Sequence, residues 1–284
     1  ILIPPSITMI LYGIASETSI GRLFIAGVFP GLLLVGLFSL WALFLSWKRG
    51  TKLVDSDRIY SLREKFELMP RVLPFIAVIV GVVYALYGGI ATPSEASGVG
   101  AALCLAMVIV IYRVWKPRDL WAIVRDGLRE SGMLLLIIGT SILFGYMMSS
   151  LLVTQTVAES IAALDVNRWV IMLAINIMLL VAGCFLPPAA IILMTTPILM
   201  PVIEAVGFDP IWFGVILTIN MELGLITPPV GLNLFVINAI TPDVRLPVIL
   251  RGALPFMGCM VLAIIIISIF PGIATWLPAK MMGP

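Results

Sequence analysis

Histidine is absent from the 284 residues. That absence removes Ser-His-Asp and Cys-His catalysis, haem ligation through imidazole and most catalytic zinc sites. Charge is scarce: Asp, Glu, Lys and Arg make up 11% of the chain, against about 25% in an ordinary soluble domain. So few charges cannot cover a water-soluble globule. Cysteine is nearly missing as well. Cys104, Cys184 and Cys259 lie far apart in apolar runs, which is the pattern of small packing residues and not of a disulfide or metal set. The 17 basic and 15 acidic residues almost cancel, so the chain has no nucleic-acid footprint. Paired aspartates on apolar segments are lacking too. Acid–base chemistry is left with Glu95 and Glu222 as its only plausible carriers.

What is present is apolar: 61% of the residues. The expectation is an all-α, polytopic membrane protein. The chain opens on Ile1-Leu2-Ile3-Pro4-Pro5-Ser6, with no Met, charged flank or signal-peptide anatomy, and is read as a fragment that continues from a segment upstream. Residues 1–14 are a helix interrupted near its start by the two prolines. Residues 22–47 are long enough to cross a bilayer, at roughly 20 residues per span, with a kink expected at Pro30-Gly31. Residues 48–71 carry seven basic side chains, and the part from Asp57 to Met69 reads as an amphipathic surface helix. A second span covers 72–91, a Thr92-Pro93-Ser94-Glu95 turn follows, and a third span covers 96–112. Residues 113–130 hold five more basic residues and read as another interfacial helix, beginning after Pro117. Two spans separate the basic segments 48–71 and 113–130, so both fall on one side. The positive-inside rule makes that side the cytoplasm.

A fourth span covers 131–152, and a modest polar stretch runs from Thr154 to Arg168. Trp169–Gly183 is short for a full crossing. The tip Phe185-Leu186-Pro187-Pro188 follows, and then a second short segment from Ala189 to about Val206. Two short helices around a proline-rich tip describe a re-entrant hairpin, which is tolerated at membrane depth only against protein or a wet cavity. Asp209-Pro210 opens a helix to about Gly224, which breaks at Ile226–Gly231 and resumes to Ile240. A polar link over Thr241–Arg251 leads to a last span over 252–277, with Trp276 and Lys280 at an interface.

Two segments at opposite ends of the chain match. Ile1-Leu2-Ile3-Pro4-Pro5-Ser6 pairs with Leu225-Ile226-Thr227-Pro228-Pro229-Val230, and each runs into an apolar half-helix. Paired broken helices are the best sequence pointer to the site of a secondary transporter. Freed carbonyls and the C-terminal end of the first half-helix suit a cation. The N-terminus of the second half-helix suits an anion.

Ile1–Ser6 with Tyr12-Gly13, the run Gly89–Ala96, Phe185–Pro201 and above all Met221–Asn233 (MELGLITPPVGLN) carry a resemblance. Over essentially its whole length, the chain resembles the DctM-like large membrane subunit of tripartite ATP-independent periplasmic (TRAP) transporters, in the ion-transporter superfamily. Some members carry an acidic residue at the second hairpin tip, where this chain has Pro187. The resemblance implies an elevator-type inverted-repeat architecture. It groups 1–21 and 153–240 as a transport domain, 22–152 as scaffold and arm, and 241–284 as a C-terminal span. It further implies sodium-coupled import of an organic acid anion, such as a C4-dicarboxylate, across the bacterial inner membrane. A periplasmic solute-binding protein would deliver the solute, and a small TRAP membrane subunit would join the scaffold.

The same resemblance assigns residues. Carbonyls of Gly224, Thr227 and Val230, with the Thr227 hydroxyl, become sodium ligands. Ile3 and Pro5 are their counterparts at the first break, and Gly183 and Pro187 contribute from the hairpin tip. Ser6, Pro188, Pro229, Gly231 and Asn233 face the solute. Blander readings stand beside these. Thr227 is equally at home bonded to its own backbone in a proline kink, and Asn233 is equally a helix cap. Glu222 is a proton or ion group, or a buried anchor. Glu95 is foremost a cap for the third span, and Arg168 foremost an interfacial anchor. Competing functions are a symporter of the same superfamily that needs no binding protein, and a channel. A channel needs a continuous polar lining, whereas the polar residues here cluster at two breaks. An intramembrane enzyme has few candidate groups, Glu95 and Glu222 alone, and a mere membrane scaffold has no need of paired breaks.

Overall fold

The computed structural model describes residues 1–49, 62–88, 90–163, 166–241 and 243–283. Among these residues every regular element is an α-helix. The chain divides into two compact units, Ile1–Trp41 with Leu134–Pro284, and Ala42–Met133. The helices are α1 (Ile7–Ala15), α2 (Ile20–Ala26), α3 (Val28–Arg49), α4 (Leu62–Tyr87), α5 (Pro93–Val110), α6 (Pro117–Ser150) and α7 (Val153–Ala162). They continue as α8 (Arg168–Gly183), α9 (Pro188–Ala205), α10 (Pro210–Leu225), α11 (Leu232–Ile240), α12 (Leu246–Ile269) and α13 (Gly272–Met282). Five stretches are long and apolar enough to cross a membrane: Ile20–Lys48, α5, α6, α9 and α12. Large apolar side chains such as Leu40, Leu135, Leu136 and Val248 are exposed on them. Such surfaces suit hydrocarbon and not water, so the chain is a polytopic membrane protein.

The core of the larger unit is built around α10. Trp212 to Met221, Leu223 and Gly224 are all buried, so the helix is enclosed on every face. Asp209 starts it, accepting from the Trp212 amide at 2.9 Å, and Pro210 fills the first turn, where no amide is needed. α8 lies along α10, while α9 packs against α7 and α1. Tyr12 of α1 ties these layers together. Its hydroxyl donates to the Pro210 carbonyl at 2.7 Å and also contacts the Met200 sulfur at 3.3 Å. Gly214 makes room for the Tyr12 ring, which a Cβ there would strike.

In the smaller unit α4 packs on α5. A capping box opens α5: Thr92 Oγ1 accepts from the Glu95 amide at 3.3 Å, and Glu95 Oε2 accepts from the Thr92 amide at 2.8 Å. Glu95 therefore performs the capping role expected of it.

Several boundaries differ from the sequence expectation. The span over 22–47 is interrupted at Gly27, one turn before Pro30. Proline removes the donor that would bond the carbonyl four residues earlier, so the effect of Pro30 surfaces a turn upstream. A Cβ at Gly27 would also overlap the Leu2 carbonyl oxygen. Residues 50–61 of the first basic segment lie outside the described residues, and from Leu62 its remainder is the first part of α4. The second basic segment and the fourth span are one continuous helix, α6, because isolated glycines at 127 and 132 do not stop a helix. The polar stretch after it contains α7. The link after Ile240 is short, since α12 already begins at Leu246. The last apolar run is two helices, parted at Phe270-Pro271.

Two proline-freed carbonyls find donors on other helices. Pro197 deprives the Leu193 carbonyl of its helical partner, and the Ser141 hydroxyl of α6 donates to it. Pro271 does the same to the Ile267 carbonyl, which accepts from Trp212 Nε1 at 3.0 Å. Ser141→Ala is expected to leave a buried acceptor unmet, at a cost of about 1–3 kcal/mol. The measurement is the thermal midpoint of the detergent-solubilised protein, which should fall; an unchanged midpoint would show that the bond contributes nothing.

Candidate functional site

Between α10 and α11 the backbone leaves helical geometry over Ile226–Gly231. The cause is local. Pro228 and Pro229 lack the amides that would bond the Gly224 and Leu225 carbonyls. The Gly224 carbonyl instead accepts from the Thr227 amide at 3.1 Å. The Leu225 carbonyl has no donor among the described residues, because both positions that would supply one are prolines. The Thr227 hydroxyl donates to the Leu223 carbonyl at 2.6 Å. That bond uses its proton and leaves its lone pairs. Gly231 restarts the chain at φ +56°, a left-handed conformation that glycine adopts without strain. α11 begins without a side-chain cap.

The hairpin tip sits on this break. A Cβ on Gly224 would lie 2.7 Å from the Gly183 Cα and 3.1 Å from its carbonyl oxygen, and a Cβ on Gly183 would lie 3.1 Å from the Gly224 Cα. The two backbones are therefore in direct contact, a closeness that only two glycines allow. The Gly231 amide points to the Cys184 carbonyl at 3.4 Å. The tip residues that meet the break are thus Gly183 and Cys184. Pro187 is exposed and serves as the residue before α9, with Pro188 in its first turn.

The first break lies against α2 and α3. Gly27 and Gly31 are bare where Leu2 and Ile3 approach. Ser6 is 1% exposed and caps α1, its hydroxyl accepting from the Met9 amide at 3.3 Å and lying 3.0 Å from the Thr8 hydroxyl. Pro5 and Ile3 are exposed. A cavity of about 370 Å³ joins the two breaks. Ile1, Leu2 and Ile3 line one wall, and Thr218, Glu222 and Ile226 line another. Glu222 Oε2 is buried with no hydrogen-bond partner among the described residues.

Of the remaining expected residues, Thr227 and Val230 are half-buried in the break, and Pro229 is exposed. Asn233 is not the cap of α11, because Gly231 holds that position. Arg168 begins α8 with its guanidinium 5.6 Å from the Trp169 ring centre and 5.3 Å from that of Phe208. That stacking suits an anchor. Sequence reasoning missed Cys184, the unpartnered Leu225 carbonyl and an amide pair joining buried Asn220 to half-buried Asn176. Asn220 Nδ2 donates to the main-chain and side-chain oxygens of Asn176, at 3.0 and 2.8 Å. The Leu225 carbonyl was legible from the Pro-Pro spacing; the amide pair was not, since nothing local joins residues 44 apart.

Among the described residues no group of three or more His, Cys, Asp or Glu side chains is placed to hold a metal. A cation at the break would rest on carbonyl and hydroxyl oxygens, donors that suit a hard ion.

The family described as "Tripartite ATP-independent periplasmic transporter, DctM component" matches residues 1–273. The chain is 38% identical over 278 residues to the C4-dicarboxylate TRAP transporter large permease protein DctM of Pseudomonas aeruginosa, covering 98% of this chain and 64% of that protein. It is 32% identical over 304 residues to the protein of the same name in Vibrio cholerae, covering 100% of this chain and 66% of the relative. The sialic acid TRAP transporter large permease protein SiaM of Vibrio cholerae is 30% identical over 282 residues, with 99% and 65% covered. The chain thus spans a little under two thirds of the length of these relatives, all of them permease subunits. With the match running through the first break, the hairpin and the second break alike, the chain belongs to the DctM family of TRAP transporter large permeases.

Proposed function

We propose that this chain is part of a sodium-coupled secondary transporter that imports an organic acid anion across the bacterial inner membrane. In this reading it works as the large membrane subunit of a TRAP system. A small membrane subunit completes the scaffold, and a periplasmic binding protein delivers the solute. The basic segments 48–71 and 113–130 face the cytoplasm. An elevator movement carries the hairpins and broken helices, with their cargo, across the bilayer.

The observation that carries the reading is the seating of Gly183 and Cys184 on the Gly224–Gly231 break. A hairpin tip on an interrupted helix collects main-chain oxygens at one point inside an apolar protein. Sodium is held there by the carbonyls of Gly224, Thr227 and Val230, the Thr227 hydroxyl and the hairpin tip. Ile3 and Pro5 belong to the matching site at the first break. The uncapped start of α11 presents Gly231 and Asn233 to an anion; Ser6, Pro188 and Pro229 are the further solute contacts of this reading. The cation offsets the charge of the anion beside it, which is the physical basis of coupling.

The test is uptake into proteoliposomes by the full-length protein with its small subunit and binding protein. Uptake of the carboxylate is expected only with an inward sodium gradient. ATP-driven or sodium-independent uptake would contradict the proposal. Thr227→Ala removes one oxygen ligand, worth on the order of 1 kcal/mol. It should raise the half-saturating sodium concentration roughly fivefold while leaving expression intact. An unchanged sodium response rejects Thr227 as a ligand.

A further inference from the structure

The site described above contains almost no side chain that fixes one element on the other. Gly183 meets Gly224 through bare backbone, and the bond from Gly231 to Cys184 is long at 3.4 Å. Below the tip, α8 faces the protein with Met172, Ile175 and Leu179. Apolar contacts of this kind are non-directional. They hold α8 against α10 but fix its position along the axis less sharply than a hydrogen bond does.

Besides the edge-on contact of Trp169 with Trp212 at the far end of the pair, one hydrogen-bonded group joins the two helices. Asn220 lies one turn before Gly224, and Asn176 lies two turns before Gly183. Asn220 is 2% exposed. Its Nδ2 donates to both oxygens of Asn176, and Asn176 Nδ2 donates to the Met172 carbonyl at 2.8 Å. The orientation is forced. Asn176 must turn its nitrogen to Met172, so it offers α10 only acceptors, and Asn220 must answer with its nitrogen. In consequence Asn220 Oδ1 points away, buried and without a partner among the described residues. An unmet buried acceptor is costly, and an apolar pair of the same size would be at least as stable. A cavity of about 610 Å³, lined by Asn176, Asn220, Leu223 and residues of α12, leaves one flank of the pair without packing. Stability alone does not account for these two amides.

We propose that Asn176 and Asn220 form a register clamp that holds the hairpin arm α8 level with α10, so that Gly183 stays seated on Gly224. Buried asparagine pairs set axial register between helices in the same way elsewhere. A slip of one helical turn, about 5.4 Å, takes the tip off the break. With the clamp closed, tip and break move as one body and the ion site stays assembled throughout the movement. The purpose of the clamp rests on the transport reading above; its geometry does not. Both asparagines are positioning residues and bind neither ion nor solute.

Cys184 reports directly on the seat, because it is 5% exposed and its carbonyl faces Gly231. The experiment uses the full-length protein in proteoliposomes with every other cysteine replaced by serine, and measures the rate at which N-ethylmaleimide modifies Cys184. Asn220→Ala is expected to raise that rate at least tenfold. Asn176→Ala should raise it less, because Asn220 keeps the main-chain oxygen of residue 176. The double variant should be no faster than Asn220→Ala alone, since both changes remove one contact. Asn220→Leu keeps the volume and the fold, and should label as fast as Asn220→Ala. Labelling of Asn220→Leu at the unsubstituted rate would mean that packing sets the register and would overturn the clamp, as would equal rates in all variants. Replacing sodium chloride by choline chloride separates the two readings. If Asn220 variants label fast while sodium protects Cys184 in no variant, the clamp stands and the sodium site falls.

Discussion

Everything in this fold turns on where main-chain carbonyls freed by proline find their partners. Inside an apolar protein within a bilayer no water is at hand to satisfy them. Pro197 frees the Leu193 carbonyl, and Ser141 takes it. Pro271 frees that of Ile267, and Trp212 takes it. In both cases the donor comes from a different helix, so each proline becomes a fastening between elements. At the break after α10 the pattern changes. Two adjacent prolines free two carbonyls; that of Gly224 is recovered by the Thr227 amide in the same loop, and that of Leu225 has no donor among the described residues. Two such oxygens are met by side chains of other helices, whereas at this break the Leu225 oxygen is left unmet among the described residues. The proposed sodium site is the complement of that imbalance.

Glycine makes the gathering possible. Gly183 and Gly224 bring the hairpin tip to within backbone contact of the break, and Gly27 and Gly31 admit the first break against α2 and α3. Gly214 admits Tyr12, whose hydroxyl joins α1 to the start of α10. The half-helix after the first break and the helix before the second therefore share one core. The 370 Å³ cavity between the breaks is a product of the same packing. Small residues buy this closeness at the expense of grip, which is why a directional pair such as Asn176 and Asn220 matters more here than in a core of interlocking large side chains.

Features set by neighbours in sequence were legible in it. The Asp209 cap, the Thr92–Glu95 box and the Pro-Pro break each depend on residues within four positions, and each stands in the structure where the sequence put it. The short α8 and the proline-rich tip after it were legible from length and composition, whereas α9, expected as a second short arm, is long and apolar enough to cross a membrane. Features set by tertiary contact were not. Nothing local distinguishes Cys184 from Pro187 as the tip residue that meets the break; Gly224 and Gly231 decide that from 40 or more residues away. Gly27 marks a helix interruption because Leu2 crosses it, a contact the sequence does not announce. The continuous α6 is the converse case: its composition changes from charged to apolar while the helix runs on unbroken.

A site of this kind also inverts the usual search for function. Side-chain chemistry is nearly missing from it: no histidine, no cluster of carboxylates or thiols among the described residues, one hydroxyl already bonded to the end of the preceding helix. Main-chain oxygens exist at every residue, so what distinguishes this place is only their convergence. The informative residues are then those that shape backbone and not those that carry functional groups. Glycines at 183, 224 and 231 permit the approach, prolines at 228 and 229 withhold the amides, and the two asparagines lock the alignment. Apart from the Thr227 hydroxyl, substitutions that keep the backbone path leave the main-chain oxygens of such a site in place. A single Cβ at Gly224 does not, because it occupies the space in which the hairpin rests.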